Sequence, residues 1–263
     1  LPEQGIFPAF FSLTDKDNWT ANMKQVFYWG SALIFATLTC APAMAGISVD
    51  NSRIIFQASD DAKGKSTGIT SSASSSSPFL VRTQVTKDVQ GQQTQTPFVT
   101  TPSLLRLDPG NTNQVLIMKT SGNLPKDRES LFYLRVVAMP AGTAESDTTS
   151  SAVAGSLQVA TGQVVKLFYR PDNLPMVQKE AMGKLQFSAS PQGLAVSNPT
   201  PYYISLSRVT VGGKEVKLKI AEGSSMLAPF GSAVWPGAPR QGRVEWNAIN
   251  DFGGAEVFHG SVR

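Results

Sequence analysis

GSLQVATGQVVKLFYRP, residues 155–171, opens with a clean alternation. Leu157, Val159 and Thr161 fall on one face of a strand, and Gln158, Ala160 and Gly162 on the other. A long polar run, AGTAESDTTSSAVAG at 141–155, precedes it, and Pro171 stops it. A strand that follows a loose loop and carries an apolar row fits two uses. It fills its own sandwich, or it is offered to another protein.

Outward from this strand the pattern is all-β. Alternating or β-branched runs recur at 46–56, 79–85, 104–109, 114–120, 130–139 and 157–169. After Pro171 they return at 184–190, 193–198, 202–211, 214–220, 242–250 and 255–262. Asp-Pro-Gly at 108–110, Gly-Gly at 212–213, Trp-Pro-Gly at 235–237 and Gly-Gly at 253–254 supply the turns. Two sandwiches of about seven strands each follow, the immunoglobulin-like size. LPMVQKEAMGKL at 174–185 reads as loop with a weak helix, and SSASSSSP at 71–78 as a surface loop. A strand ending on a proline puts the domain boundary at Tyr169 to Pro171. The predicted division is 46–168 for the first sandwich and 169–263 for the second.

Residues 1–45 are read separately. MKQVFYWGSALIFATLTCAPAMA at 23–45 has a positive start at Lys24, an apolar run from Val26 to Leu38, and the small-residue site Ala43-Met44-Ala45. That is the form of a cleavable secretory signal, with Gly46 as the first mature residue. A permanent anchor helix is the alternative, and the apolar run is short for one. Thr39 stands before Cys40 where a lipobox needs Gly, Ala or Ser. Residues 1–22 read as an upstream extension. Removing 1–45 takes away Cys40, the only cysteine, so packing alone must hold the mature domains. The formal charge of +4 becomes +5, because the removed part carries a net −1. No Lys/Arg cluster with interleaved aromatics appears, so nucleic acid is not an expected partner.

Catalytic chemistry is thin. His259 is the only histidine, and no Cys/His metal spacing accompanies it. No serine has a plausible base, no Gly-rich loop opens a helix, and the carboxylates are scattered. The expectation is no enzyme, no cofactor and no metal.

Eight segments, in order, carry a resemblance to the periplasmic pilus-assembly chaperones of the chaperone–usher systems, the PapD-like family. They are ISVDNSRIIF at 47–56, PFLV at 78–81, LLRLDPG at 104–110, LPKDRESLFYL at 124–134, KLFYRP at 166–171, NPTPYY at 198–203, MLAPF at 226–230 and INDFGG at 249–254. The resemblance implies two immunoglobulin-like sandwiches set as an L with a cleft between them. It implies a periplasmic location. It implies as partners pilin or fimbrial subunits and an outer-membrane usher, with no stable membrane insertion once the signal is removed. Such a subunit lacks its last strand, and an exposed groove of that kind aggregates. The chaperone fills the groove with a strand of its own.

By matching KLFYRP, the resemblance places the donated row on Leu157, Val159 and Thr161, with Gly155 and Val153 extending it. Burying Leu157 and Val159 would contribute about 1.5–3 kcal/mol each. It also implies that Arg53 and Lys166 hold the subunit's C-terminal carboxylate. Arg offers a planar fork and Lys a point charge, and a pinned chain end fixes the register of the inserted strand. Neither cation is expected to be needed for a core. Glu129, Arg170 and Asp251 are implied as a buried interdomain charge cluster. Two other functions compete. A secreted two-domain adhesin or carbohydrate-binding module shares the all-β pattern, but gives no reason for Arg53, Lys166 or KLFYRP. A secreted sandwich hydrolase lacks a nucleophile and a base.

Overall fold

The computed structural model describes residues 46–120, 122–141, 159–218 and 225–263. Nine strands come first: β1 (Ile47–Val49), β2 (Arg53–Gln57), β3 (Lys65–Ser71), β4 (Phe79–Thr86), β5 (Phe98–Thr101), β6 (Leu104–Leu107), β7 (Thr112–Lys119), β8 (Ser130–Pro140) and β9 (Thr161–Arg170). They form two sheets, ordered β1-β3-β7-β5 and β2-β9-β8-β4-β6.

After Pro171 comes one helical turn, α1 (Gln178–Met182), then β10 (Gln186–Ser190), β11 (Gly193–Ser197), β12 (Ile204–Val211) and β13 (Lys214–Glu215). β14 (Met226–Leu227), β15 (Ser232–Pro236), β16 (Arg243–Ile249) and β17 (Ala255–Ser261) complete the chain. Their sheets run β10-β11-β15 and β13-β12-β16-β17, with β14 on β12.

The run at 46–56 reads as one strand in sequence but is two. β1 pairs antiparallel with β3 in one sheet, whereas β2 pairs parallel with β9 in the other. The break falls at Asp50-Asn51-Ser52, residue types that strands disfavour or that turns prefer. The Asp50 N–H donates to the Gly68 carbonyl at 3.0 Å. The Asp50 carboxylate packs against the bare Cα of Gly68, so a side chain there would push the carboxylate aside.

Each sandwich has its own core. Phe98 joins the first one together, with ring centroids 5.1 Å from Phe56 and 5.0 Å from Phe132. β9 adds Val165, Leu167 and Tyr169, alternate residues of one face. The second core centres on Trp246, whose ring lies 5.0 Å from Phe187. Its indole N–H donates to the Met182 carbonyl at 2.9 Å. That bond and the complete burial of Ala181 and Met182 explain why a weak helical signal becomes a helix: tertiary packing supplies what propensity does not. The Gly212-Gly213 turn has φ of +55° and +80°, the positive pair that a tight hairpin between β12 and β13 needs.

The serine run is not wholly a surface loop. Ser71 and Ser75 are buried, and the Ser71 hydroxyl donates to the Ser75 hydroxyl at 3.4 Å.

Candidate functional site

The site grows from the end of β9, where strand meets Pro171. Arg170 is the last strand residue, and its guanidinium reaches out of the first sandwich. Its Nε donates to Glu129 Oε1 at 2.8 Å, while Nη1 and Nη2 donate to the two Asp251 oxygens at 2.7 Å each. Glu129 stands just before β8, and Asp251 lies in the turn between β16 and β17. One fork therefore ties elements of both sandwiches, in the two-point geometry that suits arginine.

Glu129 carries more of this join. Its other oxygen accepts the Tyr203 N–H at 2.8 Å, and its own N–H donates to the Pro201 carbonyl at 2.9 Å. Burial pushes the Glu129 carboxyl above its ordinary range, against the pull of the Arg170 charge. For Arg170, burial opposes the charge, yet the Asp251 hydrogen bonds and the two acids hold it more firmly cationic than usual. The ring of Tyr202 lies 5.1 Å from the Arg170 guanidinium, and that of Phe168 5.8 Å from Tyr203. Arg128 lies 4.8 Å over the Phe230 ring, whose residue holds a φ of +55°.

Arg53 and Lys166 are register partners in the parallel pair of β2 and β9. Both face the same side of the sheet, one rung wide. Burial lowers the affinity of each for its proton, and for Lys166 the neighbouring Arg53 charge lowers it further. Arg53 is itself buried, lies 5.8 Å over the Phe168 ring and donates from Nη1 to the Ile249 carbonyl at 2.9 Å. It thus differs from the expectation that neither cation matters to packing, because it bonds to the second sandwich. Lys166 is only half-buried, and it opens on a cavity of about 750 Å³ lined also by β12 residues and Ile249.

Upstream on the same strand, among the described residues β9 pairs with β8 alone from Thr161 to Val165, since β2 covers only Lys166 to Arg170. Val159 is 60% exposed. Thr161 is half-buried, and its hydroxyl is shielded with no hydrogen-bond partner among the described residues. Leu157, Gly155 and Val153 lie outside the described residues. Gln163 was missed in the sequence. Its amide oxygen accepts the Val49 N–H at 3.1 Å and its amide nitrogen donates to the Ile47 carbonyl at 3.0 Å, clamping β1 to the flank of β9. The signal for it was a polar residue at an inward position of an otherwise apolar row. Among the described residues, no helix is long and apolar enough to cross a membrane.

Residues 46–175 match the family model for the pili and flagellar-assembly chaperone, PapD N-terminal domain. Residues 180–259 match the pili assembly chaperone PapD, C-terminal domain. The chaperone protein MyfB of Yersinia enterocolitica is 32% identical over 82% of this chain and 84% of its own length. The fimbrial chaperone YcbF of Escherichia coli is 33% identical over 84% of this chain and 92% of its own. Among solved structures, a chain of the Salmonella enterica complex of SafA pilin with the SafB chaperone aligns with a TM-score of 0.68 and 28% identity, covering 84% of this chain and 98% of its own. The E. coli chaperone DraB aligns with a TM-score of 0.68 and 31% identity, covering 83% and 97%.

Proposed function

This chain belongs to the PapD-like family of pilus-assembly chaperones, and from that premise we propose how its own residues do the work. It is a fimbrial chaperone that stabilises pilin or fimbrial subunits by donor-strand complementation. It acts in the periplasm without catalysing a reaction, and hands its cargo to an outer-membrane usher. Strand addition at an open sheet edge is the mode for which chaperone–pilin pairs are themselves the standard example.

The observation that carries this reading is the layout of β9. An exposed apolar residue, Val159, continues upstream of an edge that, among the described residues, is unpaired on one side from Thr161 to Val165, and the paired cations Arg53 and Lys166 stand a few residues downstream. Leu157, Val159 and Thr161 enter the subunit's groove, while its terminal carboxylate is held at Arg53 and Lys166. Glu129, Arg170 and Asp251 hold the two sandwiches in register for that double contact. The boundary is placed between residues 168 and 169.

The test of the donated row is the double substitution Leu157→Asp and Val159→Asp. Subunit recovered with the chaperone from periplasm falls to background, because two charges would be buried in an apolar groove. The Tm of the free chaperone moves by no more than about 2 °C, since Val159 is exposed and a row offered to a partner contributes little to the chaperone's own fold. If the double variant unfolds, the row belongs to the chaperone's own core.

Processing is tested on its own. Gly46 is the first mature residue, so N-terminal sequencing of the periplasmic protein should begin Gly-Ile-Ser-Val. A protein that starts at residue 1 or 23 would overturn the cleavage site.

A further inference from the structure

We propose that the Ser205 hydroxyl is a third ligand for the terminal carboxylate of the captured chain, joining Arg53 and Lys166. This rests on the strand-capture reading and adds a residue to it. Ser205 lies on β12, opposite Met226 of β14, and is 2% exposed. Its Oγ is shielded from solvent and has no hydrogen-bond partner among the described residues. Buried hydroxyls are almost always partnered, and one that is not weakens the fold it sits in.

Its place gives that hydroxyl a use. Ser205 lines the same cavity of about 750 Å³ as Lys166. The cavity wall also includes Ile249, whose carbonyl accepts the Arg53 hydrogen bond. Arg208 and Lys217 bring two further cations to it, against the single carboxylate of Glu215, which stands 3.9 Å from Arg208. The field therefore favours an anion. A serine hydroxyl has one proton to donate, as a carboxylate oxygen requires, and Lys and Arg are donors only. The volume exceeds what a carboxylate needs, so the terminal residue's side chain enters with it.

The experiment uses the whole mature chain and two probes, N-acetyl-L-phenylalanine and its C-terminal amide, followed by NMR titration. The acid binds the unaltered protein saturably, and the amide at least about tenfold more weakly, because a charged acceptor strengthens each hydrogen bond. Ser205→Ala weakens the acid by about tenfold, the scale of a hydrogen bond to a charged group. The same variant raises Tm by about 2–4 °C, because an unpartnered buried hydroxyl is gone. Ser205→Thr, which keeps the hydroxyl, binds the acid within about twofold of the parent.

Undiminished acid binding by Ser205→Ala overturns the proposal. So does a fall in Tm with equal losses for acid and amide, which marks a structural role. Failure of the acid to bind the unaltered protein overturns it too, while strand capture is judged by subunit recovery from cells. Acid binding that is sensitive to Ser205→Ala but not to Lys166→Ala overturns it as well, because the two residues would then not share one carboxylate.

Discussion

Lys166→Ala abolishes subunit capture and leaves the chaperone folded. The amount of subunit recovered with periplasmic chaperone falls to the level of a strain without chaperone, and the Tm of the free variant stays level or rises. The physical reason is that Lys166 sits beside Arg53 at a shared rung, where burial and the like charge both oppose its protonation. Removing it relieves a cost in the free protein. The same lysine is a donor that an incoming carboxylate needs. Arg53→Ala also loses capture, but with a drop in stability of about 1–3 kcal/mol, because the Ile249 carbonyl loses its donor.

The pH dependence of capture follows from the same shift. In the free chaperone Lys166 titrates below the ordinary lysine value of 10.5. A bound carboxylate favours the charged form, so the bound state holds the proton more tightly. Affinity is therefore full below the free-state value and declines as pH rises through it. Normal subunit yield from Lys166→Ala, or parent affinity that stays level as pH rises toward the ordinary lysine range, would sink the anchoring role.

Arg170→Ala destabilises the protein by about 3–5 kcal/mol, the cost of leaving buried partners without their counter-charge. Three hydrogen bonds of 2.7–2.8 Å disappear together, and Glu129 and Asp251 lose their common cation. Lys184→Ala is the matched control, since its exposed pair with Glu180 contributes only about 0.3–0.5 kcal/mol. Denaturant titration of both variants reads the difference. The Arg170 deficit also depends on pH. Glu129, already raised by burial, rises further without Arg170, and a buried acid of raised pKa costs stability only while ionised. The deficit is largest near neutral pH and shrinks as pH falls through that raised value. A deficit equal at pH 4 and pH 7 would mean that lost packing, and not lost charge, explains it.

The two sandwiches were legible because their strands alternate and their turns carry Gly-Gly, Asp-Pro-Gly and Trp-Pro-Gly. KSTGITS and FVTT were not, although they form β3 and β5. Each offers few large apolar residues, and only their neighbours make them strands. KEVKLKI at 214–220 reads as a full strand; β13 is Lys214–Glu215, the Val216 N–H extends its ladder to the Val209 carbonyl at 2.8 Å, and residues 219–220 lie outside the described residues.

The site was legible only in part. Arg53 and Lys166 look like ordinary strand cations, and their pairing depends on a parallel register that no local pattern encodes. The same holds for Glu129, Arg170 and Asp251, which meet through the fold alone. Ser205 gave no sign, since YYISLS reads as any strand, and an unpartnered hydroxyl is a property of three-dimensional surroundings.

On the strand-capture reading, the odd-numbered row of β9 has two owners. At one end Val165, Leu167 and Tyr169 belong to the chaperone's own core, and two residues before the strand begins Val159 stands in the open. A strand repeats every two residues. Adding or removing one residue between Thr161 and Val165 therefore sets the two ends out of phase, so that one face cannot serve both. The strand behaves like a ratchet pawl cut to a fixed tooth: its length evolves in pairs, and an odd step forfeits either the host or the guest.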